Sequence, residues 1–228
     1  MPEQPPRFAL EFGKDGLPPA DADGRLDAPA FHRNHEAIAP TLTSFLQGRA
    51  GDVLEIGSGT GQHAVAFASR MPSIAWWPTD LSDSHLRSIE AWRKHEKLDN
   101  VKPPVRLDAS AADWRLDQLG LPSVFTAMFC ANVIHIAPWA VAEGLFAGAR
   151  RHLASGGRLY FYGPFKRDGV HNAASNAAFD ESLRARDSSW GVRDVADLKK
   201  LAAASNLKFS GLAEMPSNNA ILTFERTA

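Results

Sequence analysis

Three glycines at alternate positions, Gly57, Gly59 and Gly61, follow the run Val53-Leu54-Glu55-Ile56 and precede Gln62-His63-Ala64-Val65. Glycine has no Cβ, so such a loop turns tightly and brings its backbone close against a ligand. A helix opening behind the loop would add free N–H groups and a positive dipole end toward an anionic group. A dinucleotide fingerprint asks for glycine at the sixth position, where Gln62 stands. A P-loop asks for Gly-Lys-Ser/Thr, and no lysine follows here. Glu55 would be badly placed beside a pyrophosphate, but well placed to orient the loop and an ammonium. The combination points to S-adenosylmethionine, with Glu55, Gly57, Ser58, Gly59 and Gly61 around it.

Asp80, with Leu81 beside it, ends the next apolar run, where a carboxylate can accept hydrogen bonds from ribose hydroxyls. Its bland alternative is to cap the helix that begins near Ser82. Asp108-Ala109 ends a third run and suits adenine contact, with a cap through Ser110 as a close rival. Asn132 follows a fourth run and offers a donor and an acceptor toward the methionine end. His135, three residues on, is either a base near a transferred methyl or a satisfied core histidine.

These residues need strand ends to carry them, and the chain supplies strands and helices in alternation. Asp52–Ile56, Ile74–Pro78, Val105–Leu107, Phe125–Ala131 and Arg158–Tyr162 read as buried strands. Between them, Thr60–Met71, a segment capped by Ser82 or Asp83 and running to Leu98, and Ala140–Leu153 read as helices, the last closed by Ser155-Gly156-Gly157. Pro29 opens an earlier helix, which Pro40 should kink. Leu207–Met215 and Ala220–Arg226, joined by Pro216-Ser217-Asn218-Asn219, read as a closing antiparallel hairpin. The expected fold is α/β and Rossmann-like: a seven-stranded, mostly parallel sheet with helices on both faces and a reversed last strand. Residues 1–27 carry no period and read as an irregular arm before a single domain over 28–228.

The bulk numbers narrow the partners. The 228 residues carry 25 Lys+Arg against 26 Asp+Glu without a basic run, so nucleic acid is a poor partner. Cys130 is the only cysteine, which excludes an intrachain disulfide and suits a cytoplasmic protein. Val124–Ala142 is apolar, but Asn132, His135 and Pro138 interrupt it, so no membrane span is expected. Histidine spacing gives no metal site. Oligomeric state is not readable.

Arg33-Asn34, Gln62-His63-Ala64-Val65, Ala131-Asn132 with His135-Ile136-Ala137-Pro138-Trp139, Tyr162-Gly163-Pro164-Phe165, Ser175-Asn176, Trp190-Gly191 with Arg193-Asp194, and Met215-Pro216 with Asn218-Asn219 together resemble the methyltransferase-like protein 26 family. The resemblance covers residues 28–226 and implies the methyltransferase fold and its cofactor, with Asn34 and His63 placed at the cofactor. The arm is longer than that family's usual start, and Phe31-His32 departs from its usual small and acidic residues.

Residues 162–194 are the expected substrate region, with Tyr162, Phe165, Asn176, Asp180, Trp190 and Arg193 as candidates and Arg33 and Trp139 from outside it. Asn176, Asp180, Arg184 and Asp187 fall on one helical face, which read blandly is a solvated stripe with an Asp180–Arg184 ion pair. Methyl transfer needs alignment above all, so a base helps without being required. His135, Tyr162 and Asp180 are the candidate bases, and Trp139 or Tyr162 could face a sulfonium. The expected acceptor is a small polar metabolite. Two rivals stay open: a nicotinamide-dependent oxidoreductase, which Gln62 disfavours, and a non-catalytic S-adenosylmethionine-binding scaffold.

Overall fold

The computed structural model describes residues 21–227. Most of the arm expected over 1–27 therefore lies outside the described residues; residues 21–28 form a turn and an extended strap leading into α1 (Pro29–Leu46). Pro29 takes the first helical position, where its missing N–H costs nothing. Pro40 lies inside α1, and the helix runs on through it to Leu46.

The strands β1 (Gly51–Ile56), β2 (Ile74–Asp80), β3 (Val105–Arg106), β4 (Phe125–Ala131), β5 (Leu153–Gly163), β9 (Leu207–Met215) and β10 (Asn219–Arg226) form one sheet in the order β3-β2-β1-β4-β5-β10-β9. β10 runs antiparallel to both its neighbours, and the other contacts are parallel. Six strands thus share a direction and the last one is reversed. Alternation sorts the side chains between the two faces. Val53, Ala127, Phe129, Tyr160, Tyr162 and Ile221 pack toward α1 and α2 (Gln62–Ala68). Leu54, Met128, Cys130, Leu159, Phe161 and Leu222 pack toward α4 (Trp139–His152) and α6 (Val195–Ala204).

The chain builds outward from β1 to β2 and β3, then returns to the other side of β1 as β4. That reversal leaves a crevice beyond the carboxyl ends of β1 and β4, where open α/β sheets hold ligands.

Several sequence expectations shift. Gly61 is left-handed (φ 91°), so α2 starts only at Gln62, and it ends at Ala68 rather than Met71. α3 (Asp83–Glu96) follows Ser82, whose side chain makes no cap hydrogen bond, and stops short of Leu98 at left-handed Lys97. Ser155-Gly156-Gly157 is not a helix cap: these residues lie within β5, where the register against β4 slips between Phe125–Leu153 and Ala127–Arg158. A second, three-stranded sheet was not anticipated. It joins β6 (Phe165–Arg167), β7 (Val170–His171) and β8 (Arg193–Asp194), each too short to show a period, with α5 (Ala174–Arg186) between the last two.

Candidate functional site: a cavity at the strand reversal

The glycine loop is set by contacts on both sides. Gly57 has φ 68°, and a Cβ there would stand 2.4 Å from Val133 Cγ2. At Gly61 a Cβ would stand 2.7 Å from the Ile89 Cα on α3. Neither position admits a side chain without moving a neighbour. The loop is then tied to β2: Ser58 N–H donates to the Thr79 carbonyl (2.8 Å), and Gly59 N–H donates to Asp80 Oδ2 (2.9 Å).

Above the loop lies a cavity that is open to solvent, its empty space about 1050 Å³ with the open mouth included. Asp80, Leu81, His85, Leu107 and Ala109 wall one end, at β2 and β3. Ala28, Phe31, His63 and Asn132 wall the other, while Val133, Ile136 and Val141 lie along the side. The sequence-based residues Glu55, Gly57, Ser58, Gly59, Asp80, Leu81, Ala109, Asn132 and His63 therefore share one wall system.

Asp80 serves two purposes at once. Oδ1 accepts from Ser82 N–H (2.9 Å) and meets His85 Nδ1 (3.0 Å), and Oδ2 accepts from Gly59. A carboxylate offers about four acceptor positions, so bracing the loop and capping α3 leave one for a hydroxyl, not the two expected. Asp108 turns one oxygen back on its own turn: Oδ1 accepts from both the N–H and the hydroxyl of Ser110 (2.9 and 2.6 Å), and its neighbours Leu107 and Ala109 line the cavity. Glu55 is buried, with Oε2 accepting from Trp76 Nε1 (2.9 Å). Desolvation, with Asp80 adding repulsion, outweighs the Trp76 and Ser58 hydrogen bonds and pushes its carboxyl up to about 7.

The strap closes the cavity from the side. Gln62 Oε1 accepts from Ala28 N–H (2.8 Å) and from Thr60 Oγ1 (2.9 Å), while its Nε2 donates to Asp27 Oδ1 (2.6 Å). Leu26 N–H donates to Ser88 Oγ (2.8 Å), and its carbonyl accepts from Trp92 Nε1 (2.9 Å). The sequence offered Gln62 as a mark against a dinucleotide and as part of the family resemblance; in the structure it latches the strap. Phe31, His85 and Gln62 were the residues missed, and the one signal for them was a polar residue where glycine was expected.

The proposed bases and substrate groups fare differently. His135 is fully buried, its ring edge-on to Phe165 (5.1 Å), and it is absent from the cavity wall. Burial, with Arg193 nearby, lowers its pKa to about 3. It is corrected from base to core residue, and Phe165 from substrate aromatic to its packing partner. Asp180 is also buried, between Lys166 Nζ (2.6 Å), His171 Nε2 (3.2 Å), Arg184 Nε (3.1 Å) and Val192 N–H (2.8 Å). Its own burial works against ionisation, but the Lys166 contact and the other donors hold the carboxyl below the usual carboxylate range. It ties α5 to the small sheet and is no base. Arg193 spends its guanidinium on the carbonyls of Ile134, Ala137 and Ser189 and sits 5.7 Å from the Trp139 ring centre.

Asn176 donates to Asn172 Oδ1 (2.7 Å) and the Asn218 carbonyl (2.9 Å), docking α5 on the β9–β10 turn. Trp190 is buried in the same region, and Arg33 is exposed on α1. Tyr162 is buried with its hydroxyl bonded to Asn34 and Asn219; burial raises its pKa. So the structure brings residues 162–194 together, but turns most of the chosen side chains toward protein partners. Among the described residues no group of three or more His, Cys, Asp or Glu could hold a metal, and no helix is long and apolar enough to cross a membrane.

The profile of a family described as "Protein of unknown function (DUF938)" matches residues 25–226. Among solved structures, the chain is similar to the pyocyanin biosynthetic protein PhzM, at 15% identity and TM-score 0.67 over 87% of this chain and 56% of that one. It is similar to the SAH-bound form of CalO1, a methyltransferase in calicheamicin biosynthesis, at 16% identity and TM-score 0.64 over 84% and 54%. The YcgJ protein from Bacillus subtilis matches at 12% identity and TM-score 0.65, over 85% of this chain and 100% of that one. The chain thus spans about half the length of the first two. The likeness shows the fold, the Rossmann-like fold of the methyltransferases.

Proposed function

This chain belongs to the DUF938 family, and we propose that it is an S-adenosylmethionine-dependent methyltransferase acting on a small polar molecule. The observation that carries the reading is the cavity at the strand reversal, bounded by the glycine loop and holding Asp80 at one end and Glu55 at its base. The donor set fits the cofactor. Leu81, Leu107 and Ala109 make an apolar slot for a base, Asp80 retains an acceptor position for a ribose hydroxyl, and the buried Glu55 carboxyl suits an ammonium better than a phosphate. When bound, the cofactor supplies an electrophilic methyl group on a sulfonium. The chain's own part is to hold that carbon in line with the acceptor and keep water out, which can contribute about 7–11 kcal/mol of the barrier. Gln62, Phe31 and the strap serve the second task by closing the side of the cavity.

The bound SAH of CalO1 supports this choice of ligand. The finer likeness to methyltransferase-like protein 26, carried by Asn34, Gln62-His63 and Tyr162-Gly163-Pro164-Phe165, is part of the same proposal. The test is calorimetric titration of S-adenosylmethionine, SAH and NADH into the wild type and Asp80→Ala. Micromolar binding of the first two, lost in the variant, supports the reading. Binding of NADH alone, or of none of them, overturns it.

A further inference from the structure

His63 stands on the first turn of α2 and lines the cavity, yet neither the glycine loop nor the ribose end uses it. Phe31, Phe67 and Phe129 surround its ring at 5.2, 5.3 and 6.4 Å between centres. Its Nε2 lies 2.8 Å from Asn34 Oδ1. Asn34 in turn bonds the Tyr162 hydroxyl, which also bonds the side chain of Asn219. Asn219 Nδ2 donates to the Pro216 carbonyl (3.2 Å).

An amide oxygen can only accept, so the Asn34 Oδ1 that faces His63 takes a hydrogen from Nε2. His63 therefore carries its hydrogen on Nε2, and its lone pair is on Nδ1, to which no described residue donates. Burial, helped by His35, lowers the pKa of this ring to about 3, so it stays neutral through the physiological range.

The position matches the chemistry. Asp80, Leu81, Leu107 and Ala109 lie at β2 and β3, on one side of β1. His63 touches Phe129 of β4 and Phe31 and Asn34 of α1, on the other side. With adenosine held at the first end, the sulfonium would fall at the second.

We propose that His63 Nδ1 receives the hydrogen of the methyl acceptor and so aims the acceptor's lone pair at the methyl carbon. This rests on the cofactor reading above and names the substrate class within it: a neutral N–H or O–H nucleophile, not a carboxylate or a thiolate. In the reaction the acceptor's lone pair forms the bond to carbon and the C–S electron pair passes to sulfur. The acceptor's proton is shed to solvent when the cavity opens to release the product, since a ring this hard to protonate does not keep it. Asn34 and Tyr162 are positioning residues that fix the tautomer.

The test needs no substrate. Sinefungin carries a primary amine where the cofactor carries its sulfonium and methyl, and SAH carries nothing there. Dissociation constants for both are measured on the wild type, His63→Leu, His63→Gln and Asn34→Ala. His63→Leu is expected to weaken sinefungin about 10-fold or more while SAH stays within about 3-fold, and His63→Gln recovers part of the loss. Retained SAH binding shows that each variant is folded. If sinefungin and SAH change together, or neither changes, the proposal fails while the cofactor reading stands. If the wild type binds neither, both fail. Nitrogen NMR decides independently of any variant: a hydrogen on Nδ1 of His63 between pH 5 and 8 overturns the proposal, and one on Nε2 supports it.

Discussion

Asp80 and Asp180 are both buried carboxylates beside a histidine, but their other neighbours give them opposite tasks. Around Asp80 the donors are two backbone N–H groups and His85, and one acceptor position still faces the cavity. Around Asp180 the donors include Lys166 and Arg184, and every direction is taken by the small sheet and α5. A carboxylate that keeps an acceptor position free has capacity for a ligand; one with all four positions taken is a structural pin. Residue type and burial alone do not separate the two.

The largest effect should come from the pin. Asp180→Ala strands Lys166 and the Val192 N–H without a partner, and removing one member of a buried ion pair costs about 3–5 kcal/mol. Chemical denaturation should show that loss, with SAH affinity changed less than about 3-fold in the protein that remains folded. Asp80→Ala should do the reverse, weakening SAH about 100-fold through the lost hydroxyl contact and a loosened Gly59. If Asp180→Ala abolishes ligand binding without destabilising the fold, the contrast breaks.

Acid sharpens the same comparison. Asp180 ionises below its unfolded value near 3.8, so the unfolded chain binds the extra proton in that window. Its contribution to stability is complete above that value and is lost as the pH falls through the lower folded one. Asp180→Asn should flatten the acid limb of denaturation midpoints measured from pH 5 down to pH 2.5. Glu55 has the opposite sign. The folded carboxyl keeps its proton to about 7 while the unfolded one loses it near 4.5, so stability from this group falls as the pH rises between those values. A bound ammonium would pull the carboxyl back down. Calorimetry at pH 6 in buffers of different ionisation enthalpy should then detect release of up to about one proton, absent in Glu55→Gln.

The smallest effect belongs to the latch. Gln62→Leu removes the hydrogen bonds to Ala28 and Asp27, together about 1–3 kcal/mol. SAH should dissociate roughly 5–50-fold faster, followed by the fluorescence of Trp92, whose indole holds Leu26. An unchanged dissociation rate would show that the strap is not part of the cavity.

The glycine-loop half of the molecule was legible because its signals are local. An apolar strand, a glycine loop and a carboxylate at the next strand end each occupy a few consecutive residues, and topology then brings the strand ends together. The hairpin over 207–226 was readable for the same reason. His135, Phe165 and Arg193 were misread because what decides them is distant in sequence. Arg193 is consumed by carbonyls at Ile134 and Ala137, and His135 by packing against Phe165. The strands β6, β7 and β8 have two or three residues each and carry no period at all. Asp108 was balanced between a cap and a ligand contact; no helix follows it, and its Oδ1 closes a local turn on Ser110.

The place of β10 in the sheet has a consequence for biosynthesis. It is made after every other strand, yet it lies between β5 and β9 rather than at an edge, and Ile221, Leu222 and Phe224 on it are fully buried. While the ribosome is still adding residues before 219, β5 presents an unpaired edge beside β9, the kind of surface that recruits foreign strands. The nascent chain is therefore most in need of a chaperone until β10 has been made and has paired. A nonsense codon a few positions before 219 would leave an intact glycine loop on a product bound for aggregation or proteolysis.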